Sequence, residues 1–152
     1  MESDEVIAHA MACALDEARL ALVHDDVPVG AAVVHRGVVI ARRHNERELT
    51  GDPTAHAEVL ALRDASSLLG SWRLDDVTLV VTLEPCPMCA GAAWAARVPS
   101  VVFGASDMKA GSLGSLYHFG SDPRLGHTFE VHHGVEAVAA AELLTTFFAA
   151  RR

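Results

Sequence analysis

Residue types that can bind zinc occur at two places in this chain, and a carboxylate lies beside one of them. His56 and Glu58 form an H-x-E motif, and Cys86 and Cys89 form a P-C-x-x-C motif further along the chain. Structural zinc sites usually have four protein ligands, whereas catalytic sites have three and leave one position open for water or substrate. Three ligand candidates, His56, Cys86 and Cys89, therefore predict an open zinc site beside a glutamate that is not a ligand.

Hydrolysis is the chemistry that such a site favours. A catalytic zinc ion lowers the pKa of water to roughly 7. Glu58 would take a proton from that water and pass it to the substrate or its leaving group, and positioned proton transfer of this kind contributes about two to four orders of magnitude in rate. A non-catalytic zinc or RNA-binding module is the alternative, and it predicts a fourth protein ligand or an occluded cavity.

Helical and strand periodicities alternate along the chain. Four helices are predicted, at about 4–23, 55–68, 87–97 and 136–150. Five strands are predicted, at 29–34, 38–41, 77–82, 101–104 and near 129–132, with 45–52 and 110–115 as loops. This alternation predicts an α/β fold, a three-layer α/β/α sandwich around a central mixed five-stranded sheet that is covered on both faces.

Both motifs lie at predicted helix starts, beyond strand ends, where sites form in open α/β sheets. Cys86 and Cys89 share one face at the start of their helix, and the partial positive charge there favours thiolate. Pro87 suits a first helical turn because its missing N–H would have had no partner there. Asp52 and Pro53 are expected to supply the cap and the early proline of the helix that carries His56. The expected arrangement is two helix starts facing one ion.

The chain as a whole has the composition of one globular domain, residues 1–152. It has 152 residues, 51% of them hydrophobic and 21% charged. Its net charge of −8 at pH 7 argues against broad, charge-driven nucleic-acid binding. No apolar stretch has the length of a transmembrane helix, and the N-terminus is acidic, unlike a signal peptide, so a cytoplasmic protein without a membrane partner is expected.

The motifs and their flanking residues resemble a known family. H-x-E followed by P-C-x-x-C is typical of zinc nucleobase deaminases. The flanking segments are more particular, and they resemble bacterial tRNA-specific adenosine deaminases: Val27–Ala31, Asp52–Glu58, Thr82–Cys86, Met88–Ala92 and Val102–Ala105. The resemblance runs from about Val27 to the C-terminus.

This resemblance implies a cytidine-deaminase-like fold, a homodimer with one Zn²⁺ per subunit, and conversion of the wobble adenosine in a tRNA anticodon loop to inosine. It assigns His56, Cys86 and Cys89 to zinc and Glu58 to proton transfer. It implies that Asn45 hydrogen-bonds the flipped nucleotide and that backbone N–H groups near Ala57 orient it. The remaining substrate contacts that it implies are Asp107, Lys109, His127, Phe148, Arg151 and Arg152.

Three departures from the family pattern keep a second substrate class open. Gly126 stands where the family usually has asparagine, Ala149 stands where a basic residue can occur, and the sequence ends at Arg152 without the lysine-rich tail of some members. With the net charge of −8, fewer cations are left for phosphates, which dominate RNA affinity. The alternative substrate is a free amino-purine or related small heterocycle.

Outside the motifs, Glu84 is expected to have a structural hydrogen-bonding role, and Trp72 and Trp94 are expected to pack.

Overall fold

The computed structural model describes residues 1–151. Its helices are α1 (Asp4–Ala21), α2 (Arg47–Thr50), α3 (Ala57–Leu69), α4 (Pro87–Ala95) and α5 (Ala137–Ala149). Its strands are β1 (Gly30–His35), β2 (Val38–His44), β3 (Val77–Leu83), β4 (Ser100–Ala105) and β5 (Glu130–His132). The predicted mixed five-stranded sheet is confirmed.

The strands lie in the order β2-β1-β3-β4-β5. β1 pairs antiparallel with β2 and with β3, whereas β3, β4 and β5 run parallel. The carboxyl ends of the three parallel strands therefore meet at one edge of the sheet, and α4 begins directly beyond the end of β3. This edge is where a site is expected in such a sheet.

Alternation along the strands produces two separate cores. Ala31 and Val33 of β1 pack with α3 and α4 on one face of the sheet. Ala32 and Val34 pack with α1 and α5 on the other face. The predicted three layers are therefore present. The layer of α1 lies so close to the sheet that a Cβ atom at Gly30 would be 1.8 Å from the carbonyl oxygen of Ala14, so only glycine fits there.

Three local predictions were wrong. The segment predicted as a loop at 45–52 contains the short helix α2. Asp52 does not cap α3: its carboxylate accepts the N–H of Thr54 at 2.8 Å and stabilises a turn, and α3 begins only at Ala57. Trp72 is 63% exposed rather than packed. Within residues 1–151, no helix is both long enough and apolar enough to cross a membrane.

Candidate active site

Two helix starts face each other at the carboxyl edge of the parallel strands. His56 is the residue before α3 and has extended backbone angles, φ −79° and ψ 148°. Cys86 is the corresponding residue of α4, with φ −72° and ψ 174°, and Pro87 is the first residue of that helix. The extended backbone removes His56 from the helical register, so His56 and Glu58 are not held on opposite flanks of α3 as mid-helix residues two apart would be. The predicted pair of facing helix starts is confirmed.

The three predicted ligands lie together. Nδ1 of His56 is 3.7 Å from Sγ of Cys86 and 3.5 Å from Sγ of Cys89. One possible ligand atom from each residue lies within 4.8 Å of those of the other two, and this is the only such His/Cys/Asp/Glu group found within residues 1–151. One imidazole nitrogen and two sulfur atoms form a donor set that suits zinc. The residues present therefore fit a zinc ion.

Cys86 has the electrostatics of a metal ligand. A hydrogen bond from the thiol of Cys89, together with one from His56, lowers the pKa of Cys86 to about 4 although burial opposes this. Donating that hydrogen bond, together with deeper burial, raises the pKa of Cys89. Because thiolate is the form of cysteine that binds metal, the arrangement favours metal binding through Cys86 at neutral pH.

Glu58 lies in the first turn of α3 and is 4% exposed. Burial raises the pKa of its carboxyl group and outweighs the opposing effects of its own backbone N–H and of His56. A carboxyl group whose pKa is shifted toward neutrality can both accept and return a proton near neutral pH. Its position and its environment are therefore those of a general acid–base group.

Asn45 connects the end of β2 to the start of α3. Its Oδ1 accepts the backbone N–H of Ala57 at 2.8 Å, and its Nδ2 donates to the carbonyl oxygen of Val27 at 3.1 Å. The buried Asn45 side chain therefore fixes the helix start that carries His56 and Glu58. The contacts of Asn45 and of the Ala57 N–H with substrate stay predictions, and this N–H already has a protein partner.

Glu84, between β3 and Cys86, accepts several hydrogen bonds from the loop after β4. Its Oε1 accepts the N–H of Asp107 at 3.0 Å, and its Oε2 accepts the N–H groups of Leu113 at 3.1 Å and Ser115 at 3.0 Å. Burial disfavours its charge, but the hydrogen bonds from Ser115, Asp107 and Leu113 outweigh burial and lower the pKa of Glu84. The predicted structural role of Glu84 is confirmed.

These groups surround a cavity of about 180 Å³. Its lining includes His56, Glu58, Cys86, Asn45 and Asp107. Arg47, the first residue of α2, also lines it and was not predicted as a site residue. Arg47 lies two positions after Asn45, but with 45–52 predicted as a loop, nothing indicated that its side chain would turn toward the site. Lys109 lies two positions after Asp107 and is exposed at the surface.

His127 lies away from this cavity. Its Nε2 donates to the carbonyl oxygen of Val98 at 2.9 Å, and its ring stacks on Phe129 with centroids 5.7 Å apart. Val98 precedes β4, so His127 is at the amino end of the parallel strands, whereas Cys86 follows the carboxyl end of β3. Its contact with substrate stays a prediction.

The predicted C-terminal contacts lie at the end of α5, also outside the cavity lining. Phe148 is exposed and meets Phe147 edge to face, with centroids 5.2 Å apart. The guanidinium of Arg151 lies 3.4 Å from the centroid of Phe147 and forms an ion pair with Asp25. Arg152 lies outside the described residues. Contacts of these residues with RNA stay predictions.

Comparison with known proteins agrees with this chemistry. Residues 4–152 match the model of the MafB19-like deaminase family. A tRNA-specific adenosine deaminase of Bacillus subtilis is 47% identical over 135 residues, which cover 89% of this chain and 84% of that protein. A tRNA-specific adenosine deaminase of Haemophilus influenzae is 45% identical over 143 residues, which cover 93% of this chain and 83% of that protein.

Solved structures give the same result for the fold. One solved structure comes from a study of A-to-I editing by tRNA:A34 deaminases at the wobble position of transfer RNA. Its sequence is 44% identical to this chain, and the two structures superpose with a TM-score of 0.86 over 90% of this chain and 99% of that chain. A guanine deaminase from Nitrosomonas europaea is 26% identical, with a TM-score of 0.82, over 98% of this chain and 86% of that chain. The resemblance predicted from the motifs is confirmed: this chain belongs to the MafB19-like deaminase family, among the tRNA-specific adenosine deaminases, and is a hydrolytic C–N deaminase.

Proposed function

We propose that this enzyme converts the wobble adenosine of a tRNA anticodon loop to inosine, with one zinc ion per subunit held by His56, Cys86 and Cys89. The observation that carries the proposal is the buried Glu58 beside the His/Cys/Cys cluster. The two relatives at 45% and 47% identity support adenosine in tRNA as the substrate.

The reaction replaces the amino group of adenine with the oxygen of water and releases ammonia. When bound, zinc supplies Lewis acidity that makes water a competent nucleophile near neutral pH. Glu58 accepts one proton from that water and returns it to the departing nitrogen, so that no net proton is lost from the protein. Burial supports this cycle because the raised pKa makes Glu58 a stronger base toward water than an exposed carboxylate, while the protonated carboxyl group can still donate to the departing nitrogen.

The size of the cavity supports a single base as the bound group. At about 180 Å³ it is smaller than the cavities of roughly 300–1,000 Å³ that hold drug-sized ligands. A base must leave its stack to enter, and an unpaired base in a loop is the least costly to extrude. Arg47 at the cavity and Lys109 beside it would meet the phosphates of the flanking nucleotides.

We propose that the enzyme is a homodimer that associates through α3 and α4. An apolar groove of about 470 Å³ runs between these helices and includes Val59, Leu62, Ala92 and the exposed Trp72. Exposed aromatic residues of this kind are enriched in the centres of protein interfaces. Sedimentation analysis at micromolar concentration tests this proposal: a dimer is expected for the wild type, and a shift toward monomer is expected for Trp72→Glu. A wild-type monomer would contradict it.

We also propose that residues 1–152 act as one deaminase domain. Action on tRNA would place the enzyme in the cytoplasm.

A free amino-purine is the second candidate substrate. It is favoured by the net charge of −8 and by the likeness to the guanine deaminase of Nitrosomonas europaea, whose identity of 26% is lower than that of the tRNA-specific relatives. The two candidates use the same catalytic groups and differ only in what the surface around the cavity recognises.

Deamination assays on two substrate classes separate the candidates. The zinc-loaded enzyme is incubated with an adenosine-containing anticodon stem-loop and, separately, with free adenine, guanine and adenosine. Inosine at the wobble position, formed far more slowly by Glu58→Gln, is the expected result. Turnover confined to the free purines would overturn the tRNA proposal and leave the catalytic assignment intact.

A further inference from the structure

Glu84 lies beside the cavity but has no part in the proton transfer described above. We propose that Glu84 is a positioning residue that holds the rim loop, Asp107–Ser115, against the cavity and so shapes the wall that meets the substrate base. The proposal rests on the proposed function only in taking this cavity as the place where the base binds.

Four donors from the rim loop converge on one carboxylate. The N–H of Asp107 and the hydroxyl of Ser115 donate to Oε1, and the N–H groups of Leu113 and Ser115 donate to Oε2. Glu84 is 2% exposed, so little water can replace these donors. Each oxygen therefore accepts two hydrogen bonds, and the carboxylate fixes the loop near both of its ends.

Gly111 brings the middle of the rim loop onto the same carboxylate. A Cβ atom at Gly111 would lie 2.3 Å from Cδ of Glu84 and 2.4 Å from the carbonyl oxygen of Asp107, so any side chain there would push the loop away. Ser112 adds a further link, because its N–H donates to the carbonyl oxygen of Pro85 at 2.9 Å. The loop is thus attached to the two residues that immediately precede Cys86.

The attachment reaches the cavity wall through Asp107. Glu84 holds its N–H, and Oδ1 of Asp107 in turn accepts the N–H groups of Lys109 at 2.9 Å and Ala110 at 3.3 Å. Asp107 and Ala110 line the cavity. A loss of acceptor capacity at Glu84 would therefore displace two wall residues without changing any proposed zinc ligand.

Glu84→Gln tests this with little change in volume. A glutamine has one acceptor oxygen, and its NH₂ group would face donors of the rim loop, so the four hydrogen bonds cannot all persist. Gly111→Ala disturbs the same contact from the loop side. The matched control is Val102→Ala, a fully buried change in β4 that creates a cavity in the core on the other face of the sheet, a core that contains no residue of the rim loop.

With the zinc-loaded full chain, we expect Glu84→Gln to lower kcat/KM for the anticodon stem-loop about tenfold to a hundredfold, the range that losing hydrogen bonds to a charged group produces. Zinc content stays at the wild-type level. The kcat/KM of the double variant Glu84→Gln/Gly111→Ala should be only slightly below that of the worse single variant, because both changes break the same contact. The fold-losses in kcat/KM caused by Glu84→Gln and Val102→Ala should multiply instead.

Amide hydrogen exchange gives a readout that does not depend on the substrate. Exchange at Asp107, Leu113 and Ser115 should accelerate at least about tenfold in Glu84→Gln and remain near wild type in Val102→Ala, since only the first variant removes hydrogen bonds to a charged group. Unchanged exchange at these amides, or effects of Glu84→Gln and Gly111→Ala that multiply, would overturn the proposal. If the wild-type protein leaves the stem-loop unmodified, the proposed function fails, and the exchange result still decides the role of Glu84.

Discussion

Two glutamates lie beside the same cavity, nearly equally buried, and their environments shift their pKa values in opposite directions. Glu58 is 4% exposed and Glu84 is 2% exposed. Burial raises the pKa of Glu58, whereas converging hydrogen bonds lower the pKa of Glu84 despite its burial. Burial alone therefore does not determine what a carboxylate in this site can do.

The difference comes from the local structure that surrounds each side chain. Glu58 is in the first turn of a helix, where the hydrogen bonds from its own backbone N–H and from Cys89 do not outweigh the effect of burial on its pKa. Glu84 is at a strand-to-helix junction, and the rim loop returns to it with four donors. A carboxylate with few donors can exchange protons, whereas one with every acceptor position filled remains ionised and holds structure.

The largest effect is expected at Glu58. Glu58→Gln should lower kcat about a hundredfold to ten-thousandfold, because the proton would have no positioned acceptor. Single-turnover assays and zinc analysis on the same preparation measure this, with zinc retained. Glu130→Gln, an exposed change on β5, is the control and should leave kcat unchanged. Substantial turnover by Glu58→Gln would exclude Glu58 as the proton carrier.

Stability should change in opposite directions at the two glutamates. The lowered pKa of Glu84 contributes stability that is present above its usual value of 4.5 and is lost as pH falls through its folded-state pKa. The raised pKa of Glu58 does the reverse, because ionisation above 4.5 costs the folded state free energy. At pH 7.5, the unfolding free energy of Glu84→Gln should be about 1–3 kcal/mol below that of the wild type. The unfolding free energy of Glu58→Gln should be above that of the wild type.

Urea unfolding of chelator-treated protein between pH 4 and pH 8 measures both differences, and both should shrink as the pH falls below about 4.5. If both variants changed the unfolding free energy in the same direction at pH 7.5, the contrast between the two carboxylates would be contradicted.

Substitutions at Asn45 show how much its hydrogen bonds to the start of α3 contribute to stability, for comparison with those that hold the rim loop. Asn45→Ala should cost about 1–2 kcal/mol of unfolding free energy, because the N–H of Ala57 and the carbonyl oxygen of Val27 lose their partner inside the protein. Asn45→Asp is the matched variant: it keeps the acceptor for Ala57 and should recover part of the loss. Equal destabilisation by both variants would place the effect elsewhere than at the helix start.

The smallest effect is expected far from both glutamates, at Gly126. This residue has φ +76°, a conformation that glycine and asparagine tolerate best, and a Cβ atom there would meet open space. Gly126→Asn should therefore change the unfolding free energy by less than about 0.5 kcal/mol. Gly126→Val, the strained control, should cost about 1–2 kcal/mol. Thermal unfolding compares them, and a large loss in Gly126→Asn would contradict this reading of the turn.

Much of the site could be predicted because its parts depend on local sequence. The spacing of His56, Glu58, Cys86 and Cys89 predicts three ligands and a proton carrier, and strand–helix alternation predicts their position at one sheet edge. Arg47 and the contacts of Glu84 could not be predicted in the same way. They depend on how α2 and the rim loop fold back in space, and local periodicity and motif spacing do not reveal such long-range contacts.

The two open edges of the sheet have a consequence for how this protein meets other chains. The edge strand β2 contains Arg42 and Arg43, both engaged in ion pairs, and the opposite edge strand β5 has only the span Glu130–His132, with a carboxylate and an imidazole exposed. Charged or very short edge strands are poor templates for a further strand. Extension of the sheet from chain to chain, the route to amyloid-like aggregation, is thereby disfavoured at both edges, and the helical layers are left as the surfaces for association.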